Sequence, residues 1–263
     1  VHWTVFSPLP AFSDAKRFRF LRKAAKGSAF GNRKPLKRFD RNFYVCAFYA
    51  GEILRQIEQP APESRAAKPK EEPKLDPQIT TVLFDLDGTL LPMELEKFTN
   101  TYFGLLAKKA APFGFQPEPL VAAVWKGTKA MVKNDGTETN DKRFWDTFAG
   151  EMGEEVLQLR PVFDGFYANE FHGAKAACEE NPLARRAIDG LKAKGYDVIL
   201  ATNPIFPAVA TESRIRWAGL EPEDFAWYTT YENIGYSKPN PAYYQHILTR
   251  LGAQAEDCLM VGN

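Results

Sequence analysis

The sequence predicts an α/β protein: a parallel sheet with helices on both faces, interrupted by a separate block of helices. Three observations carry this. Apolar runs around Val82-Leu83-Phe84, Val198-Ile199-Leu200 and Leu259-Met260-Val261 each end in a polar residue or a glycine turn. In the second half of the chain, helical spacings alternate with those runs, as strand–helix–strand units with right-handed crossovers require. The interval from Thr89 to Thr202 is far longer than one crossover helix needs, so something is inserted there.

The first strand leads into Asp85-Leu86-Asp87-Gly88-Thr89. Asp-Gly is a common turn pair, yet a carboxylate at the carboxyl end of a parallel strand stands where open α/β sheets bind ligands. Two acids so close are poor partners for each other and good oxygen donors for a divalent cation. Helical spacing then predicts helices over 95–111, 119–132, 141–152 and 162–171, with breaks at Pro112, Asn134-Asp135-Gly136 and Pro161. In the second of these, Leu120, Val121, Val124 and Met131 share a face and Thr128 fills the remaining turn. Trp125, Lys126, Lys129 and Arg143 have the chemistry to touch a substrate, although packing or solvated surface is the ordinary role of each. A helix over 183–194 and a strand over 196–201 follow, the strand ending in Thr202-Asn203-Pro204, a hydroxyl and an amide able to hold phosphate oxygens. Next come a helix over 208–218 and a short strand over 227–231. Ser237-Lys238-Pro239-Asn240-Pro241 places a lysine just before a helix over 241–251, with proline in its favoured first turn. The last strand, 258–261, breaks at Gly262-Asn263.

In order and type, these four polar points resemble the motifs of the haloacid dehalogenase superfamily: Asp85-x-Asp87-Gly88-Thr89 the first, Thr202 the second, Lys238 the third and Gly262-Asn263 the opening of the fourth. The resemblance covers 79–263 and implies a Rossmann-like core at 79–93 and 182–263, with a helical (C1-type) cap at 94–181 that closes over the site. It implies a magnesium-dependent phosphatase acting on a small-molecule phosphate monoester through an aspartyl-phosphate intermediate. Asp85 would be the nucleophile and Asp87 the acid and base, with Thr202, Asn203 and Lys238 holding the phosphate. Mg2+ would be bound by Asp85, the Asp87 main-chain carbonyl and an acid of the fourth motif. An aspartate two residues after the nucleophile is the phosphatase and phosphomutase pattern rather than that of the dehalogenases. The fourth-motif acids would fall beyond Asn263, which leaves Asn263 as an amide-oxygen substitute and the sequence as an expected piece of a longer protein. Two alternatives stand beside this reading: a phosphomutase returning the phosphoryl group to a sugar, and a non-catalytic fragment that binds membrane or nucleic acid through a basic arm.

Composition sets the surroundings. With 44% hydrophobic residues in 263, the chain can bury a sizeable core. The most apolar stretch outside the strands, 43–54, is interrupted by Gly51 and Glu52 and is too short to span a membrane. Cys46, Cys178 and Cys258 are odd in number and widely spaced, which points to a reducing, cytoplasmic setting. His2, His172 and His246 form no ligand pattern. The net charge of +1 conceals a division: residues 1–50 carry eleven Lys or Arg against only Asp14 and Asp40, so the remainder is acidic. Within that basic segment, 1–58, Ala15, Phe18, Leu21 and Ala25 recur at helical spacing between Ser13 and Gly27, a pattern suited to an anionic membrane or nucleic acid. Pro60, Pro62, Pro69, Pro73 and Pro77 mark 59–78 as a linker, with the domain boundary near Pro77.

Overall fold

The computed structural model describes residues 77–262. The basic segment, most of the proline-rich linker and Asn263 lie outside the described residues. Four strands form one sheet: β1 (Thr81–Phe84), β2 (Asp197–Leu200), β3 (Trp227–Tyr228) and β4 (Cys258–Val261), in the order β3-β2-β1-β4. All neighbours are parallel, and Phe84 lies opposite both Leu200 and Val261. Because these registers coincide, the chain leaves β1, β2 and β4 at one common edge, which brings Asp85, Thr202 and Gly262 together.

Each sheet face has its own core, as a period of two demands. Val82, Phe84, Val198 and Leu200 point to one side, while Leu83, Ile199 and Met260 point to the other. The second side is covered by α7 (Pro241–Leu251) through Tyr243, Ile247 and Leu248. The first side is covered by α5 (Pro182–Ala193) and α6 (Ala208–Trp217), through residues including Ile188 and Ile215. Asn181 caps α5 by accepting from the Leu183 amide, and Asn240 caps α7 by accepting from the Ala242 amide.

Between β1 and α5 lie α1 (Leu95–Ala110), α2 (Pro117–Val132), α3 (Asn140–Met152) and α4 (Arg160–Ala168), then a 3-10 segment, Glu170–Ala177. Their apolar faces join the first core without interruption: Phe98, Leu120, Phe148 and Phe171 belong to the same cluster as Val82 and Phe84. Glycine at 127, an unexpected residue inside a helix, has a steric reason: a Cβ there would lie 2.6 Å from the Phe144 ring of α3.

Among the described residues the expected elements form, with ends shifted by a residue or two and three larger differences. The fourth inserted helix ends at Ala168 rather than at 171, because the Asn169 side chain donates to the Gly165 carbonyl (2.7 Å) and its backbone leaves the helical region. Pro161, expected to break the chain, instead occupies the first turn of α4, where its missing N–H costs nothing. β3 keeps only two residues of the expected five.

Candidate active site

Asp85 follows the last residue of the central strand, and its backbone N–H donates to the Val261 carbonyl (2.9 Å). This bond ties the first carboxylate to the end of β4. Gly262 is the next residue there, and a Cβ on it would lie 3.1 Å from the Asp85 Cβ, so any side chain there would press on the carboxylate. Lys238 donates from Nζ to Asp85 Oδ1 at 2.7 Å, and both side chains are only 13% exposed. The lysine is held in turn by its backbone: Lys238 N–H donates to Asn203 Oδ1 at 3.2 Å. Asn203 therefore uses its amide oxygen to fix the lysine loop.

Thr202, at the end of β2, is 1% exposed. Its carbonyl accepts from the hydroxyls of Thr229 (2.8 Å) and Tyr243 (2.7 Å), which locks the backbone. Among the described residues its Oγ1 is buried with no hydrogen-bond partner. Native proteins rarely leave such a group unsatisfied except where a ligand or ion completes it.

Asp87 is held by a residue that no sequence pattern singles out. Arg214 of α6 donates from Nη1 to Asp87 Oδ2. It is 1% exposed, its Nε donates to the Ala210 carbonyl, its Nη2 lies 3.3 Å from Thr211 Oγ1, and its guanidinium lies 4.5 Å from the centre of the Phe206 ring. Burial raises the Asp87 carboxyl above the ordinary range; the Arg214 cation opposes this, and the Asp85 anion adds to it. A carboxyl group held above its usual range keeps its proton to higher pH than an ordinary one, which favours a part as proton donor. Phe206, in the loop after β2, enters the inserted helices and meets Phe98, Tyr102, Tyr167 and Phe171. The Tyr102 and Tyr167 hydroxyls pair at 2.9 Å, and burial pushes Tyr102 up to about 12.

The family model for haloacid dehalogenase-like hydrolases matches residues 79–263. The chain belongs to that family. Among curated relatives of this haloacid dehalogenase-like hydrolase, the pyrophosphatase PpaX of Bacillus velezensis is 23% identical over 72% of this chain and 76% of its own. The glyceraldehyde 3-phosphate phosphatase of Methanothermobacter thermautotrophicus is 25% identical over 70% of this chain and 77% of its own. Of solved structures, a predicted phosphoglycolate phosphatase from Haemophilus somnus is 16% identical, covering 69% of this chain and 75% of that one, with a TM-score of 0.41.

Of the residues that sequence reasoning selected in this hydrolase, Asp85 and Lys238 are in contact, Asn203 supports Lys238, and Thr202 occupies the adjoining strand end. Asn263 lies outside the described residues. The four residues with substrate-binding chemistry in the inserted helices have other partners or face solvent. Lys126 pairs with Glu151, and Arg143 bonds Thr137 Oγ1 (3.2 Å) near Asp135 and Glu138. Trp125 is 51% exposed against Phe103, and Lys129 is exposed. Arg214 left no trace in the sequence because α6 lacks a clean apolar face: Thr211, Ser213 and Arg214 are buried along with Ile215 and Trp217.

Proposed function

We propose that this hydrolase is a magnesium-dependent phosphatase acting on a small phosphate monoester through a phosphorylated Asp85. The observation that carries the reading is the Asp85–Lys238 contact beside the unpartnered Thr202 hydroxyl. A phosphate dianion repels nucleophiles, so its site must neutralise oxygens and aim an attacking atom in line with the leaving group. Asp85 Oδ attacks phosphorus, the bond from phosphorus to the ester oxygen breaks, and Asp87 gives its proton to the departing alkoxide. Water then attacks the aspartyl phosphate; Asp87 takes the water's proton, and phosphate leaves with Asp85 regenerated. Lys238 and the Thr202 hydroxyl stabilise charge on the transferring oxygens.

The donors at this edge suit a hard cation. Asp85 and the Asp87 main-chain carbonyl offer oxygen, Gly262 admits the end of β4 against Asp85, and Asn263 follows as the third proposed ligand. Among the described residues there is no group of three or more His, Cys, Asp or Glu side chains for a metal, and Asp85 is the side-chain carboxylate among them proposed to ligate the ion. Magnesium, when bound, supplies neutralising charge to the phosphate oxygens. The curated relatives named for phosphatase and pyrophosphatase activity support phosphorus as the centre attacked. The inserted helices act as the cap that keeps bulk water from the site. The three widely spaced cysteines support a reducing, cytoplasmic setting as part of this proposal. Among the described residues, no helix is long and apolar enough to cross a membrane.

The deciding experiment is phosphate release from p-nitrophenyl phosphate by the whole chain with magnesium. Asp85→Asn is expected to lower kcat by about a thousandfold or more with the fold intact. Chelation should abolish turnover and added magnesium restore it. Turnover by Asp85→Asn close to that of the natural chain would overturn the proposal.

A further inference from the structure

Asn140, the first residue of α3, is completely buried, and its side chain bonds outward from the inserted helices. Its Nδ2 lies 3.0 Å from the Pro204 carbonyl oxygen, 3.3 Å from that of Tyr236 and 3.2 Å from Ser237 Oγ. Its Oδ1 accepts from Asn134 Nδ2 at 2.9 Å, and its backbone N–H donates to the Ile234 carbonyl at 2.9 Å. Ser237 Oγ donates to the Met131 carbonyl (3.2 Å), so the oxygen it turns to Asn140 acts as an acceptor. Asp141 N–H adds a bond to the Tyr231 carbonyl at 2.7 Å.

The partners matter for where they lie. Pro204 directly follows Thr202 and Asn203, and Ser237 directly precedes Lys238. One buried amide thus bonds both loops that carry the phosphate-holding groups, and it does so from a third segment inserted between β1 and β2. The backbones are in close contact as well: a Cβ on Gly235 would lie 2.2 Å from the Glu138 carbonyl oxygen and 2.9 Å from the Gly136 Cα. The chemistry of the position is that of an amide. An aspartate would set a negative oxygen against two carbonyls and a hydroxyl oxygen, and an alanine would leave buried acceptors without a donor.

We propose that Asn140 is a positioning residue that sets the Thr202–Asn203 loop against the Lys238 loop, so that the inserted helices help shape the phosphate site itself. The kinetic part of this inference rests on the phosphatase reading; the structural part does not. Phosphate affinity, rather than stability alone, should therefore respond to the amide.

The test compares Asn140→Ala, the milder Ser237→Ala, and Phe148→Leu, a packing change in the same helix at a ring that meets Phe144, Trp145 and Phe163. Thermal melting establishes that each is folded. KM and kcat for p-nitrophenyl phosphate, the inhibition constant of inorganic phosphate, and amide hydrogen exchange at 203–206 and 234–238 are then measured. Asn140→Ala is expected to raise KM and the phosphate inhibition constant about tenfold, the equivalent of losing one hydrogen bond of about 1.4 kcal/mol, and to speed exchange in both loops. Ser237→Ala should move the same quantities less, and Phe148→Leu should lower the melting temperature while leaving them in place. Wild-type phosphate affinity in folded Asn140→Ala, or an equal change in Phe148→Leu, would overturn the proposal; if Asn140→Ala does not fold, the same criterion is applied to Ser237→Ala. A natural chain without turnover would sink the phosphatase reading by itself. Exchange would then decide: faster in both loops for the two network variants supports positioning, and unchanged exchange overturns it.

Discussion

Thr202 shows, at the scale of one residue, how a site is recognised by what it costs the fold. A buried hydroxyl without a partner destabilises the chain by about 1–3 kcal/mol, and Thr202 Oγ1 is in that state among the described residues. Valine has nearly the same shape and no hydroxyl. Thr202→Val is therefore expected to stabilise the protein by about 1 kcal/mol in urea unfolding while lowering kcat/KM for p-nitrophenyl phosphate at least about tenfold. A variant that is both less stable and fully active would mean that the hydroxyl serves packing. Arg214 has the opposite character: a buried cation satisfied by Asp87, Ala210 and Thr211 and covered by Phe206. The buried member of this pair is the guanidinium, while the Asp87 side chain is one-third exposed, so removing Asp87 would leave a buried cation without its counter-charge, the more damaging of the two losses.

The elements were legible in the sequence to the degree that their residues obey a simple period. β1, β2 and β4 are short apolar runs ending in Asp85, Thr202 and Gly262, and the proposed site is drawn from the same ends, so one pattern points to both. The end of α4 is not legible in this way, because an Asn169 side chain competing for a backbone carbonyl has no periodic signature. Arg214 and Asn140 were illegible for a related reason: an arginine or asparagine in a helix usually faces water, and only the tertiary contacts bury these two. Ion pairs between elements are equally silent in sequence. Asp224, in the turn after α6, accepts from Arg185 (2.7 Å) and Lys192 (3.3 Å) of α5 and from the Glu221 backbone. Burial raises its carboxyl, but these donors outweigh burial and bring it down to about 2. A folded value below the unfolded one makes the pair stabilising above about pH 4, and that contribution is lost as pH falls through about 2. With both cationic partners more than a third exposed, the worth is about 1 kcal/mol. Asp224→Asn is expected to be less stable than the natural chain by that amount at pH 6, the two unfolding midpoints converging as pH approaches 2. A gap that persists at pH 2 would assign the effect to packing.

At the scale of the whole molecule, the inserted helices and the sheet share one apolar core, and Phe171 is at its junction. It is fully buried, with ring centres 6.2 Å from Phe98 of α1, 6.0 Å from Phe206 of the loop after β2 and 5.1 Å from Trp217 of α6. A cap that folded as an independent unit would keep its aromatic residues to itself. Here the loop that follows Thr202 sends Phe206 into the inserted helices, and Phe206 also covers the guanidinium that holds Asp87. Packing of the inserted block and placement of the Asp87 carboxylate are thereby joined through one ring. Phe171→Ala removes the central ring of this junction and is expected to cost about 4 kcal/mol, lowering the melting temperature by about 10 °C for a domain of this size. The loss should appear as one cooperative transition. Far-ultraviolet circular dichroism, which is dominated by the helices, and hydrogen exchange of β1 and β2 should then report the same midpoint. Two separated transitions, with the strands still protected after the helices have melted, would show that the sheet stands without the insertion and that packing of the inserted helices does not govern the surroundings of Asp87.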